Sequence, residues 1–272
     1  MFWQKVLSFL DLSMETPTPY GWFHLLFLAL SFLVIIPLCL YPKQQSDTHI
    51  RRIIYITSLI VFALEIYKQI NYSFSYEGAV SFDYQWYAFP FQFCSTHMYI
   101  GILAGIFKKG KIHDALCAYL STYALFAGLS VMFYPNTVFI STIGINIQTM
   151  ICHGAMIAIG IYLFLKGYVP ANHKTILKAV PVFAANVFIA AIMNEIAHIS
   201  GLLERETFNM FFISPYCEPS LPVYSIIQRI VPFPFCLIIY ILGFTAAAYI
   251  VLLLAISVKK IFKLKALKKV KT

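Results

Sequence analysis

The chain has 272 residues, 60% of them hydrophobic and only 11% charged, with a mean hydropathy of +0.78 and a net charge of +9. Those proportions exclude an ordinary soluble domain, in which roughly a quarter of the residues are charged. The basic excess sits at the ends of apolar segments and in the tail, which points to anionic cytoplasmic lipid and away from nucleic acid.

In chain order, the opening MFWQKVLSFLDL has one Lys and too short an apolar run for a signal peptide. Its Val6, Phe9 and Leu10 suit a short helix lying in the interface, within an N-terminal segment 1–20. Seven apolar segments follow: Phe23–Tyr41, Ile53–Ile70, Phe89–Phe107, Ala115–Tyr134, Ile147–Leu165, Ile176–Ile199 and Val231–Val258. Each is long enough as a helix to cross a hydrocarbon core of about 30 Å. The second gap (71–88) is aromatic, with Tyr84, Trp86 and Tyr87 fitting an outer belt and with Glu77 and Asp83 as its acids. The fourth (135–146) is uncharged, and the sixth (200–228) is the longest, with a short re-entrant or surface helix expected around Phe208–Ile213. The chain closes on the basic tail 259–272.

Sixteen of the twenty Lys and Arg residues fall in or just after every second gap or in the tail. Lys43, Arg51 and Arg52 mark the first gap, Lys108, Lys109 and Lys111 the third, and Lys166, Lys174 and Lys178 the fifth. The positive-inside rule then puts the C-terminus in the cytoplasm and the N-terminus outside. The expected fold is all-α: a polytopic membrane bundle of about seven transmembrane helices forming one domain over 1–272. The six cysteines make no CxxC and no zinc spacing, so no metal, cofactor or disulfide framework is expected.

Polar and ionisable groups inside spans are costly and need a reason. Here they are few: Glu65 in the second segment, Gln92, Cys94 and His97 in the third, and Gln148, Cys152 and His153 in the fifth. The sixth adds Asn186, Asn194, Glu195 and His198. Counted at 1.5 Å per helical residue, Cys94 and His153 lie roughly 8–9 Å below the outer boundary. Glu65 and Asn194 approach the same level from helices running the other way. Bland readings stand beside this. Cys39, Cys117 and Cys236 read as small hydrophobes, Glu65 with Lys68 as an ion pair at a helix end, Asn186 and Asn194 as interhelical glue, and His97 and His198 as hydrogen-bonded supports. Gly101 and Gly105 form a small-xxx-small pair for close helix packing.

The segment Phe89-Pro90-Phe91-Gln92-Phe93-Cys94 resembles the "LPLHLC" start of a helix in the YwaF-like integral membrane proteins, relatives of the transmembrane protein 164 family. Ile151-Cys152-His153-Gly154 resembles their "sHG" segment, and the 59-residue separation of Cys94 and His153 is similar to theirs. Gln92 stands where many relatives have His, and Asn194-Glu195-Ile196-Ala197-His198 where bacterial relatives often show Asn-Tyr. The resemblance implies an acyltransferase acting on lysophospholipid or ether-phospholipid, with Cys94 and His153 at the active site, in a bacterial cell membrane.

In that chemistry His153 serves as base and Cys94 attacks an acyl ester, giving a thioester. Gln92, Asn194 or Gln148 would donate to the oxyanion, Glu65 or His198 would orient His153, and His97 would support the site. Membrane lipids are the expected partners. The alternatives are a lipid acyl-ester hydrolase on the same residues, a channel or transporter with Glu65, Glu195 and His198 along its path, and a structural protein with no chemistry.

Overall fold

Apolar stretches in lipid must satisfy their backbone hydrogen bonds internally, which leaves this chain the helix. The computed structural model describes residues 2–40, 45–76, 79–135, 138–218 and 221–270; Lys43, Glu77 and Lys271 lie outside them. Its helices are α1 (Phe2–Leu10), α2 (Trp22–Leu40), α3 (Asp47–Asn71), α4 (Thr96–Ile106), α5 (Lys111–Tyr119), α6 (Leu125–Phe133), α7 (Ile143–Leu165), α8 (Lys174–Ile199), α9 (Pro222–Ile230) and α10 (Phe233–Val270). The π-helical turn Leu120–Ala124 joins α5 to α6 into one span-length rod. That rod, α3, α7, α8 and α10 are long and apolar enough to cross a membrane; α2 and α4 are shorter apolar helices. The protein is an all-α integral membrane bundle.

Helix ends follow from local chemistry. The Ser46 hydroxyl accepts from the His49 N–H and Asp47 sits in the first turn of α3, with Lys68 in its last, as the helix dipole favours. Gly201, at φ 73°, follows α8 in the left-handed conformation that ends helices. Pro222 opens α9, where its missing N–H is no loss.

Two segments depart from the sequence reading. The third apolar stretch was expected to be helical from Phe89, yet the helix starts only at Thr96. Pro90 disfavours helical backbone at Phe89, and residues 89–95 run as turns, with the Ser95 N–H on the Gln92 carbonyl at 2.8 Å. Non-helical backbone at membrane depth is tolerated only when protein satisfies it, and three side chains at the start of α4 do so. Thr96 Oγ1 donates to the Phe93 carbonyl (2.8 Å), His97 Nδ1 to that of Cys94 (2.6 Å) and Tyr99 Oη to that of Pro90 (3.1 Å). The second departure is the loop before α9. Around Phe208–Ile213 it forms a single 3₁₀ turn, Met210–Phe212, in which Phe208, Met210, Phe211 and Ile213 are all buried. The second gap also holds a small antiparallel hairpin, β1 (Phe74–Tyr76) with β2 (Val80–Phe82), which the sequence reading did not anticipate.

The α5–α6 rod and α7 are the central helices, buried over most of their length, whereas α3, α8 and α10 turn apolar faces outward. A ladder of stacked rings, Tyr119, Tyr123, Phe183 and Tyr240, binds the rod to α8 and α10. Helices α3 and α4 meet most closely. A Cβ at Gly105 would fall 2.5 Å from Tyr55 Cβ, and one at Gly101 would fall 2.0 Å from Ser58 Oγ, so this small-residue pair packs as the sequence indicated.

Candidate functional site

Cys94 lies in the non-helical segment just before α4, partly exposed. The N-terminus of a helix favours negative charge in its neighbourhood, so a thiolate is better tolerated there than in mid-helix. One turn on, His97 is buried, and its Nδ1 donates to the carbonyl of Cys94 itself. Because a carbonyl only accepts, Nδ1 carries the proton, and in a neutral ring Nε2 is then a bare acceptor. That Nε2 is buried and has no partner.

His153, in α7, repeats this arrangement. Its Nδ1 donates to the Thr149 carbonyl at 2.7 Å, and its Nε2 is also buried without a partner. The two imidazoles are within electrostatic reach of each other. Cys94 and His153 therefore make no hydrogen bond in this structure. Their helices do share a level: Met98 of α4 and Cys152 of α7 pack with Val61 of α3 in one apolar cluster. Cys152 is buried in that cluster, within electrostatic reach of Cys94.

Glu65 anchors one side of this level. Its Oε1 accepts from Lys68 Nζ (3.0 Å) and Gln69 Nε2 (2.8 Å), and its Oε2 from Gln148 Nε2 (3.1 Å), so the buried carboxylate has three donors. Gln69 extends the network to the Ala88 carbonyl and accepts from Tyr84 Oη at 2.6 Å. Burial first, then the Glu65 charge, pushes the Tyr84 phenol above its ordinary range and keeps it a donor. Glu65 and Gln148 thus join α3 to α7 and do not touch His153, whose Nδ1 is on Thr149. Lys68, read from the sequence only as the partner of Glu65, places a cation within electrostatic reach of Cys94, Cys152 and His153.

The remaining candidates serve the loop before α9. Gln92 donates to the Asn209 carbonyl and accepts from the Phe211 N–H, both at 3.0 Å. Asn194 donates to the Met210 carbonyl (3.0 Å) and accepts from the Met210 N–H (2.8 Å). Both amides grip backbone, and Asn186 Nδ2 donates to the Val182 carbonyl of its own helix. His198 stands apart: it is exposed and stacks on Tyr216 at 3.6 Å, while Tyr216 donates to Glu195. A cavity of about 670 Å³ opens beside this loop, walled by Trp86, Phe89, Met193, Ile196 and Phe208, with Glu204 and Arg205 at its polar side.

Two features had little or no signal in the sequence. The π turn lies beside the Tyr119 hydroxyl, which hydrogen-bonds Thr96 Oγ1 at 2.7 Å and so ties the rod to the start of α4. At the opposite end of the bundle, Tyr168 bridges Asp47 (2.5 Å) and His113 (2.9 Å), and Arg51 donates to the last carbonyls of α4, those of Gly105 and Ile106. This second polar cluster reads as a clasp on helix ends.

Comparison with known proteins gives the chain its place. The family model of the TMEM164 family matches residues 19–256. No curated protein and no solved structure matches. The match spans nearly the whole chain, so this integral membrane protein belongs to the TMEM164 family.

Proposed function

We propose that this TMEM164-family protein transfers acyl chains between membrane phospholipid and lysophospholipid through a thioester on Cys94, with His153 as the base that takes the thiol proton. The observation that carries the reading is one level in the outer half of the bundle. There Cys94 precedes a helix N-terminus with the Lys68 ammonium within electrostatic reach, and two buried imidazoles, His97 tethered to the Cys94 carbonyl and His153 in electrostatic reach of His97, leave their Nε2 acceptors unpartnered. Thiol, base and cation are the components that nucleophilic acyl transfer needs. Catalytic hydrogen bonds are often long in an unliganded site and tighten with substrate, so the open Cys94–His153 geometry suits a resting state.

A lipid substrate suits the surroundings. The apolar wall of the 670 Å³ cavity, Trp86, Phe89, Met193, Ile196 and Phe208, offers acyl chains a lateral approach, and Phe89 is five residues from Cys94 in the chain. A solute path is less favoured, because Glu195 and His198 are engaged with exposed Tyr216 and buried Ile100, Ala104, Met156 and Ile159 fill the core deeper in the bundle. The test is incubation of purified protein with a lipid extract and mass spectrometry of acyl-chain redistribution. Redistribution that depends on Cys94, and is lost in Cys94→Ala, supports the reading. Equal lipid profiles with and without wild-type protein would refute it.

A further inference from the structure

A buried acceptor without a donor forfeits its hydration with no protein bond in exchange. His97 and His153 are 1% and 6% exposed, each has its Nδ1 proton committed to a carbonyl, and each leaves Nε2 bare. Several donors on these helices are otherwise engaged, Gln148, Gln69 and Lys68 on Glu65 and Thr96 and Tyr99 on the carbonyls before α4, while the buried Ser58 hydroxyl, packed against α4 at Gly101, is also without a partner. Cys94 has a single S–H and can satisfy one imidazole. An incoming hydroxyl would satisfy the other.

We propose that His97 is the base for the acyl acceptor, its Nε2 receiving the hydroxyl of an incoming alcohol, the free O–H of a lysophospholipid. The inference rests on the acyl-transfer reading and divides its labour between two histidines. In the first half, Cys94 gives its proton to His153 Nε2, the sulfur–carbon bond forms, the ester C–O bond of the donor breaks, and the leaving alkoxide takes the proton from His153. In the second half, the acceptor hydroxyl gives its proton to His97 Nε2 as its oxygen bonds the thioester carbon. The sulfur–carbon bond breaks, and the departing thiolate recovers that proton. No oxidant or outside reagent is needed. His97 suits the second role because its ring is tethered to the carbonyl of Cys94, which keeps it beside the thioester through both halves.

The test uses the full chain in liposomes, with a phospholipid donor carrying an isotope-labelled acyl chain and a lysophospholipid acceptor. The informative variant is His97→Asn, whose side-chain amide retains a donor for the Cys94 carbonyl but lacks Nε2. The expected result is a labelled thioester on Cys94 that forms near the wild-type rate and accumulates, with transfer to the lysolipid reduced by about a hundredfold or more. Hydroxylamine, which needs no base, should discharge that thioester as fast as in wild type, and a merely structural defect would not predict this. His153→Ala should instead fail to acylate. Transfer surviving in His97→Asn, or acylation and transfer lost together, overturns the assignment while leaving a Cys94 enzyme intact. Absence of any acyl adduct on wild-type Cys94 defeats the acyl-transfer reading, and this inference falls with it.

Discussion

The side chain of Gln92 holds the backbone of Phe211 across 119 positions of sequence, accepting its N–H at 3.0 Å while donating to the carbonyl two residues earlier, Asn209. Phe211 and Phe212 carry left-handed φ angles of 59° and 57°, which bulky residues rarely adopt, so the loop depends on such outside grips. Gln92 is also two residues from Cys94, and the loop and the thiol segment are therefore coupled.

Gln92→Leu should remove both bonds and leave the buried Phe211 N–H unpartnered, the Asn209 carbonyl keeping the Phe212 N–H, and so lower stability by about 1–3 kcal/mol. Thermal unfolding in detergent reads the loss. Loosening of residues 208–214 should also raise the reactivity of Cys94 toward a water-soluble thiol reagent. Unchanged unfolding and unchanged reactivity would mean that the loop is held by Asn194 and Tyr240 alone.

The second prediction separates two cysteines. Cys94 is partly exposed on turn backbone, whereas Cys152 is 6% exposed in the Val61–Met98 cluster. Adjacent helical residues point about 100° apart, so Cys152 and its neighbour His153 do not present to one substrate together. A membrane-permeant electrophilic lipid should label Cys94, with labelling reduced in His153→Ala and largely retained in Cys152→Ala. A label mapped to Cys152, or one indifferent to His153, rules out the Cys94–His153 assignment.

Glu65 supports the third. Replacing it with Ala strands Lys68 and Gln148 near the site, and breaking a largely buried ion pair from one side costs about 3–5 kcal/mol. Lys68→Met should cost less, because Gln69 and Gln148 still donate to the carboxylate. The double variant Glu65→Gln with Lys68→Met should be more stable than Glu65→Ala alone. Thermal unfolding of the three proteins orders them, and equal midpoints would show that the network adds nothing to stability. If Lys68 helps to hold a thiolate, Lys68→Met should also slow Cys94 labelling without large unfolding.

How far the site could be read from sequence depends on which kind of order carries it. Helical periodicity and charge alternation are local, so five span-length helices of the seven expected spans, the Gly101–Gly105 contact and the family resemblance were legible, while the first and third segments gave the shorter helices α2 and α4. The family match over 19–256 agrees with them. The start of α4 was not, because apolar composition persists through Phe89–Ser95 while Pro90 and three side-chain-to-carbonyl bonds hold that backbone in turns. Pro90 was the available signal. Gln92 and Asn194 looked like oxyanion donors because their depth was right; that they grip the loop backbone is a long-range relation with no local trace. The same is true of Lys68, whose i,i+3 spacing from Glu65 pointed to an ion pair and not to the thiol.

Membrane orientation is the last prediction, and the structure adds an argument independent of charge. The N-terminal segment is fastened to the ends of α3 and α7 that lie away from the basic gaps. Tyr67 Oη and Asn71 Nδ2 both donate to the Leu10 carbonyl, at 2.7 and 3.2 Å, and Gly144 leaves room for the Tyr67 ring. The Met14 N–H donates to the Ser141 carbonyl at 2.6 Å and the Ile143 N–H to that of Leu12 at 3.0 Å, forming a two-strand bridge at Ser13 and Thr142. The N-terminus and the loop before α7 must therefore share one side, opposite the Lys108–Lys111 gap at the far end of α4. In a cysteine-accessibility map, single cysteines at Ser13 and Ser141 should react with an impermeant reagent from outside. One at Lys109 should react only from the cytoplasmic side. Reaction of Ser13 and Lys109 positions from the same side would overturn the orientation, and with it the placement of Cys94 and His153 in the outer half of the bundle.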